Sequence, residues 1–222
     1  MNVSSNPTTT IGVQRGDHVY SSLLDDITSG RLRPGEQLVI DDIASTLGVS
    51  ITPVRDALAR LESQGVVKRM PYQGSFVRQF NDQEIQDLYE VRAGLEVVAV
   101  ALACERIRAE HLERLTHLQW EGERTRIEGD LDQYQKCNDD FHSTIFEAAG
   151  NRLLTQMMET IRLQMQMMIA QTIKVPGRPE RASKEHLALI GHLTDRDVRG
   201  AELLMKQHVY EALEDLRSRR LP

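Results

Sequence analysis

The chain has 222 residues, of which 40% are hydrophobic and 27% are charged, proportions that exclude a disordered or fibrous protein and predict a folded, globular one. No run of ~18 apolar residues could cross a bilayer and the polar beginning of the sequence lacks the apolar stretch of a signal peptide, so we expect a cytoplasmic protein without a membrane partner. The formal net charge of −6 would exclude nucleic acid if charge were spread evenly along the chain, and it is not.

Residues 11–80 predict a small domain with a helix-turn-helix and a wing, preceded by a flexible arm over residues 1–10. Gly48 suits the left-handed conformation that follows a helix, and Ser50 or Thr52 can cap the next helix. Apolar spacing and turn residues predict helices from Asp17 to about Ser29, from about Asp41 to Gly48 and from the cap to near Gly65, then a hairpin with strand-like runs at 66–70 and 75–78.

A boundary near Phe80 separates this domain from residues 81–222, which predict an all-helical domain. The sequence NDQE at 81–84 is typical of a capping box, and nothing after it resembles a strand. Glycine, proline and aspartate breaks predict helices at about 82–107, 110–128, 131–149, 151–174, 180–194 and 197–219. The predicted fold class is therefore mainly α, with an N-terminal winged helix-turn-helix and a C-terminal helical bundle.

The third helix and the hairpin carry the candidate DNA-contacting residues. Residues 50–80 hold five basic and two acidic side chains, and phosphate attraction depends on such local charge within a Debye length of ~8–10 Å. A recognition helix fits the major groove, where short side chains let the backbone approach and an arginine reaches a base edge or phosphate. The candidates are Ser50, Thr52, Pro53, Arg55, Lys68, Arg69, Gln73 and Gly74. The alternative is a small helical domain with a solvated basic face.

The sequence LGVSITPVRDAL at 47–58 resembles the recognition segment of GntR-family bacterial transcriptional regulators. LRPG at 32–35, LESQG at 61–65 and Gly74 also sit where that family has them. The resemblance implies a regulator that binds operator DNA as a homodimer, since one recognition helix covers a half-site. Ile51 stands where the family usually has arginine, so we expect the operator to differ from the common family consensus.

Three histidines and an asparagine in the helical domain form a candidate metal site. Asn138 and His142 are four residues apart and share one face of a helix, while His186 and His208 lie on later helices. If these helices pack as a bundle, three imidazoles and an amide oxygen converge, and zinc is the expected ion, with Ni²⁺ or Mn²⁺ as alternatives. The competing interpretation of each histidine is a surface or hydrogen-bonded core residue.

The sequences NDDFH at 138–142, AGN at 149–151, EH at 185–186 and QH at 207–208 resemble the landmarks of the all-helical FCD ligand-binding domain. In metal-binding members of that family the ligands match His142, His186, His208 and position 138, which is often aspartate. The neutral Asn138 is a departure that should weaken cation affinity.

The FCD resemblance also implies a small organic acid or sugar acid as effector, with Arg92 as a second anchor for its carboxylate. The alternative role of Arg92 is a salt bridge to Glu96, four residues further on. A rival function is a metal-dependent hydrolase or lyase, because an open three-histidine site can activate water. No acidic residue is tied by a motif to general-base duty, however, so we expect no enzyme. A third possibility is a regulator whose metal is purely structural.

Overall fold

A computed structural model describes residues 7–220, with side chains described for residues 16–218. This part of the chain is mainly helical, as predicted, and none of its helices is long and apolar enough to cross a lipid bilayer. The elements in chain order are α1 (Pro7–Thr28), β1 (Gln37–Leu38), α2 (Ile40–Leu47), α3 (Ile51–Ser63), β2 (Val67–Met70), β3 (Gly74–Val77), α4 (Asp82–Arg106), α5 (Ala109–Glu128), α6 (Leu131–Ala149), α7 (Arg152–Thr172), α8 (Arg178–Asp195) and α9 (Val198–Arg220).

The chain divides into two compact units between Phe80 and Asn81. In the first unit, α1 and α2 pack against α3, and Gly48 caps α2 in the left-handed conformation at φ 63°. The apolar residues of α3 lie on its buried face, so the opposite face is left to solvent; the buried residues are Val54, Ala57, Leu58 and Leu61.

A three-stranded antiparallel sheet in the order β1-β3-β2 completes the first unit. Val67 pairs with Val77 and Met70 pairs with Gly74, so a three-residue turn at 71–73 joins β2 to β3 as the predicted hairpin. The strand β1 was not predicted, because two residues are too few to show the alternation by which a strand is recognised.

The helix α1 begins at Pro7, ten residues before the predicted start at Asp17. Residues 7–10 of the predicted arm are thus helical, and residues 1–6 lie outside the described residues. Proline is tolerated in the first turn of a helix because its missing N–H would have no partner there. Apolar periodicity marks the part of a helix that packs against a core, so it gave no sign of this extension.

The second unit contains α4 to α9, whose bounds lie within about two residues of those predicted. The Asn81 side chain accepts a hydrogen bond from Glu84 N at 2.9 Å and Glu84 Oε2 accepts one from Asn81 N at 2.8 Å, so the predicted capping box forms. The helix α4 packs against α6, α7, α8 and α9. Its central position brings polar residues of α4 into the interior of the unit, beside the residues described next.

Candidate functional site

The three candidate histidines come together inside the second unit. His142 on α6, His186 on α8 and His208 on α9 are all buried, and their ring centroids lie 4.9 to 5.2 Å apart. One nitrogen from each ring lies within 4.8 Å of the others. A tetrahedral zinc ion with bonds of ~2.0–2.1 Å places its nitrogens about 3.3 Å apart. Small rotations of the side chains would therefore let one ion contact all three rings.

Two carboxylates lie against the Nδ1 atoms of two of these rings. Glu185 Oε2 lies 2.6 Å from His208 Nδ1 in a hydrogen bond. Glu96 Oε2 lies 2.7 Å from His142 Nδ1, although this contact lacks the alignment of a hydrogen bond. Histidines that bind metals almost always have their other ring nitrogen on a carboxylate, a carbonyl or water, which fixes the ring orientation. In both rings the contact at Nδ1 leaves Nε2 as the nitrogen that can bind a metal.

The ring nitrogens are in the state that a cation requires. Burial lowers the pKa of both His186 and His208 well below 6.5, so both rings are neutral at pH 7 and keep a lone pair for a metal. The Nε2 atoms of His142 and His186 are buried without a hydrogen-bond partner among the described residues. Buried polar atoms are rarely left without a partner, so these residues fit a divalent ion.

Asn138 lies one turn before His142 on α6 and is also buried. It lines two small cavities, one beside His186 and the other beside His208. Asn138 is therefore adjacent to the cluster, where its side chain could supply a fourth ligand. Asp139, the next residue, points elsewhere, because its Oδ2 accepts a hydrogen bond from Gln166 Nε2 at 2.7 Å.

Arg92 forms the salt bridge to Glu96 that the spacing suggested, and it also lines a cavity. Its Nε donates a hydrogen bond to Glu96 Oε1 at 2.5 Å, and both side chains are buried. Burial alone would raise the pKa of Glu96, but Arg92 and His142 outweigh it and hold the value at about 2. Arg92 also lines a cavity of about 400 Å³ beside His142, between α4, α6 and α7. Glu96 thus connects the cavity arginine to a histidine of the cluster.

The candidate DNA-contacting residues of α3 lie on its exposed side. Ser50 takes the cap position with an extended backbone, and Thr52 and Arg55 follow on the exposed face, while Pro53 is partly buried. Arg55 has no ion pair with any described side chain, so its guanidinium is available to a ligand. The helix thereby presents short polar side chains at its beginning and a cation one turn later.

The candidate DNA-contacting residues of the wing, unlike those of α3, do not all lie on one face. Lys68 and Arg69 are both exposed on β2, but neighbouring residues of a strand point to opposite faces, so their side chains leave the wing on different sides. Gln73 is exposed at the turn, and its carbonyl accepts a hydrogen bond from Gln37 Nε2 at 2.9 Å. Gly74 adopts φ 99°, a conformation that favours glycine.

Comparison with known families decides the class of protein. Residues 87–211 match the FCD domain, and residues 15–77 match the family described as bacterial regulatory proteins, gntR family. The chain belongs to the GntR family. It carries the FCD domain as its second unit, which confirms both resemblances noted in the sequence.

Relatives of this GntR-family protein support the assignment. The HTH-type transcriptional regulator McbR of Escherichia coli is 31% identical over 147 residues, which cover 66% of this chain and 66% of McbR. The HTH-type transcriptional repressor RspR of E. coli is 26% identical over 216 residues, which cover 96% of this chain and 91% of RspR. The protein is therefore a transcriptional regulator and not an enzyme.

Solved structures show the same fold. The structure of E. coli McbR/YncC has a TM-score of 0.80 and 25% identity, covering 93% of this chain and 99% of its own. A putative GntR regulator from Rhodococcus sp. RHA1 has a TM-score of 0.79 and 20% identity, covering 92% and 98%. The fold of the GntR-family regulator is thus shared along nearly its whole length.

Sequence reasoning missed Arg178 of this GntR-family regulator. The side chain is buried at the start of α8, where its Nη2 donates to the His208 carbonyl at 3.2 Å and its Nη1 lies 3.2 Å from Glu185 Oε2. Burial raises the pKa of Glu185 to about 7 although Arg178 opposes the shift. Arg178 therefore forms an ion pair with the carboxylate that orients His208. No local sequence motif indicates this role.

Tyr72 was also missed. It lies at the tip of the wing with its side chain fully exposed, at 108% of the reference area, and its backbone is left-handed at φ 64°. A left-handed residue other than glycine costs roughly 1–2 kcal/mol. The turn residues Pro71 and Gly74 predict the hairpin, but they do not indicate that the aromatic side chain between them projects into solvent.

Proposed function

We propose that this regulator binds operator DNA through α3 and the wing, and that a small carboxylic acid bound beside a divalent ion in the second unit changes its operator affinity. DNA binding is assigned to residues 11–80 and effector binding to residues 81–222. The observation that carries the effector proposal is the convergence of three buried histidines, two with unpartnered Nε2 atoms, beside a cavity that contains Arg92. An allosteric effector needs such a site away from the DNA-binding residues.

The ion would be held by His142, His186 and His208, with the Asn138 amide oxygen as a fourth ligand. Nitrogen-rich sites favour zinc, with Ni²⁺ or Mn²⁺ as alternatives, and open positions on the bound ion would accept a carboxylate. The chain's own contribution is to keep the His186 and His208 imidazoles neutral, to orient the His142 and His208 rings through Glu96 and Glu185, and to bring Arg92 to the wall of the cavity.

We expect Asn138→Asp to tighten metal binding. A carboxylate replaces a neutral amide oxygen beside the cluster, so charge attraction to the cation increases while the length of the side chain is unchanged. The measurement is a competition titration with a chelator of known affinity. Asp139→Asn, which alters charge at the neighbouring position, is the matched control. An unaltered or weaker affinity in Asn138→Asp would place residue 138 outside the ligand set.

For the DNA-binding unit we assign contact to Ser50, Thr52, Pro53 and Arg55 on α3 and to Lys68, Arg69, Gln73 and Gly74 on the wing, and we add Tyr72 at its tip. The exposure of the α3 residues opposite the buried face supports this assignment. Short side chains at the start of a recognition helix allow close approach to DNA, and basic residues of a wing contact phosphate and sugar.

We expect Arg55→Ala to weaken operator binding by ~1–3 kcal/mol if Arg55 reads a base. Arg60→Ala removes the same charge from the same helix and serves as the control. Arg60 stacks over Tyr20 at 3.7 Å and pairs with Asp17 at 3.1 Å, so it is occupied within the unit. Fluorescence anisotropy with labelled operator at fixed salt concentration measures the operator affinity of both variants. Equal affinities of wild type and Arg55→Ala would remove Arg55 from the contact set.

We propose a homodimer, because two recognition helices on adjacent half-sites supply the specificity that one cannot. An apolar stripe on α4 supports this. Val91, Leu95, Val98 and Leu102 recur at the spacing of one helix face, and Val91 and Val98 are 52% and 47% exposed. Light scattering should give a particle of twice 25.2 kDa, and a mass of one chain at micromolar concentration would contradict the dimer.

The experiment that tests the effector proposal is a panel of small carboxylic acids added to the metal-loaded protein on DNA from upstream of its own gene. Coupling free energies between effector and DNA sites correspond to about 5- to 150-fold changes in affinity. At least one acid should change the operator Kd within that range. Acids that bind the protein without changing the Kd would contradict the regulatory role.

A further inference from the structure

The cavity beside the histidines has a wall that distinguishes between classes of acid, an inference that rests on the proposed effector site. Its buried part is formed by the Arg92–Glu96 ion pair and His142 together with the apolar side chains of Phe146, Met165 and Ile169. The rest of the wall is formed by charged residues, by uncharged polar side chains and by Met158. The cavity therefore offers a polar end with Arg92 and His142, an apolar middle and a charged mouth.

The uncharged polar side chains of the wall already use their donors within the protein. Ser143 Oγ donates to Asp139 O at 2.8 Å, and Thr155 Oγ1 donates to Asn151 O at 3.2 Å. Gln166 Nε2 donates to Asp139 Oδ2 at 2.7 Å. Against the apolar and uncharged part of the wall, a ligand rich in hydroxyl groups would give up its hydrogen bonds to water without equivalent partners in exchange, which costs affinity.

The apolar part of the wall is suited to hydrocarbon. Phe146 and Met165 are buried, and Met158 lines the cavity while partly exposed. Thioether side chains adapt to irregular apolar shapes. Charges of both signs line the mouth, with Lys136 and Arg162 beside Asp139 and Glu159, whereas a second carboxylate on the ligand would lose its hydration against the apolar side chains.

We propose that the cavity selects a monocarboxylic acid with an apolar body of about five to nine carbon atoms over polyhydroxy acids of the same skeleton. Its carboxylate would lie at the Arg92 and histidine end and its hydrocarbon against Phe146, Met158 and Met165. The size follows from the volume. A cavity of about 400 Å³ equals roughly thirteen water molecules at ~30 Å³ each, which leaves room for a carboxylate and this body, about eight to twelve non-hydrogen atoms together.

The test is calorimetric titration of the zinc-loaded full chain with acetate, butanoate, hexanoate and gluconate. Gluconate has the six-carbon chain of hexanoate with five hydroxyl groups added. A second pair, cyclohexanecarboxylate and quinate, makes the same comparison on a ring. Affinity should rise about fourfold per added methylene from acetate to hexanoate, the value of burying one CH₂ group. Hexanoate should bind at least tenfold more tightly than gluconate.

Two contrary results have different meanings. If gluconate binds as tightly as hexanoate, or affinity does not change with chain length, the inference about the apolar wall is overturned while the proposed acid site stands. If zinc binds but no acid of either class does, the proposed acid site fails and the inference fails with it.

A variant pair tests the wall directly. Met158→Gln places an amide of similar length in the cavity wall, and Met157→Gln makes the same change at the preceding residue, which is 49% exposed. We expect Met158→Gln to weaken hexanoate binding about tenfold and acetate binding less than twofold, since acetate does not reach the apolar middle. Met157→Gln should leave both unchanged. Equal losses for hexanoate and acetate, or equal losses in the two variants, would overturn the assignment.

Discussion

His208→Ala is expected to weaken metal binding by more than about 100-fold. Replacing a residue that merely supports a ligand typically costs 10- to 100-fold in affinity, so loss of a ligand should cost more. The variant removes one of three converging nitrogens and leaves Glu185 and Arg178 paired with each other at 3.2 Å. The second unit should therefore still fold. Elemental analysis after dialysis measures the metal, and circular dichroism measures the folding.

Two comparisons sharpen this result. His117→Ala makes the same substitution at an exposed histidine of α5 and should retain the metal fully. Glu185→Gln keeps all three rings but removes the carboxylate charge on His208 Nδ1, so we expect an intermediate loss of 10- to 100-fold. Full metal content in both His208→Ala and His142→Ala would show that the cluster is a packing arrangement and not a ligand set.

Arg92→Met is expected to destabilise the second unit by ~3–5 kcal/mol, because removing one partner leaves a buried carboxylate without its counter-charge. The side chains of Arg92 and Glu96 are 4% and 3% exposed. Methionine has a similar length, so the loss of charge dominates over the loss of volume. The chain's single tryptophan, Trp120, lies on α5 of this unit, and its fluorescence in a urea titration gives the free energy of unfolding.

The control for this variant is Arg124→Met. Arg124 pairs with Glu128 four residues further on, in the same relation as Arg92 and Glu96, but both members of the pair are exposed. Exposed pairs contribute ~0–1 kcal/mol, so the control should be nearly neutral. The double variant Arg92→Met and Glu96→Leu should recover much of the loss, because no charge remains buried. A cost for Arg92→Met as small as that of Arg124→Met would contradict the buried pair.

The sequence predicted the bounds of the helices of the second unit well because residues that begin or end helices separate them. Gly129 and Gly150, for example, cap α5 and α6 in the left-handed conformation. The start of α1 and the strand β1 lacked such signals. The predicted start of α1 at Asp17 was based on its apolar residues, whereas the helix begins ten residues earlier at Pro7.

The sequence indicated the candidate ligand residues of the site but not the contacts between the helices that carry them. His142 and Asn138 share a face because of their spacing, whereas the meeting of α6, α8 and α9 depends on tertiary packing. Glu185 shows the difference most clearly. It precedes His186 in the chain, but it forms its hydrogen bond with His208 on another helix. The cavity volume likewise depends on side-chain packing that a pattern of residue types does not contain.

The most direct test of the whole account is the operator Kd of one protein preparation measured with and without an acid that binds it, first loaded with zinc and then stripped by a chelator. The account predicts that the acid shifts the operator Kd about 5- to 150-fold in the loaded protein and less than twofold in the stripped protein. An equal shift in the two preparations, or no shift in either, would contradict the claim that the histidine-held ion and the acid together control DNA binding.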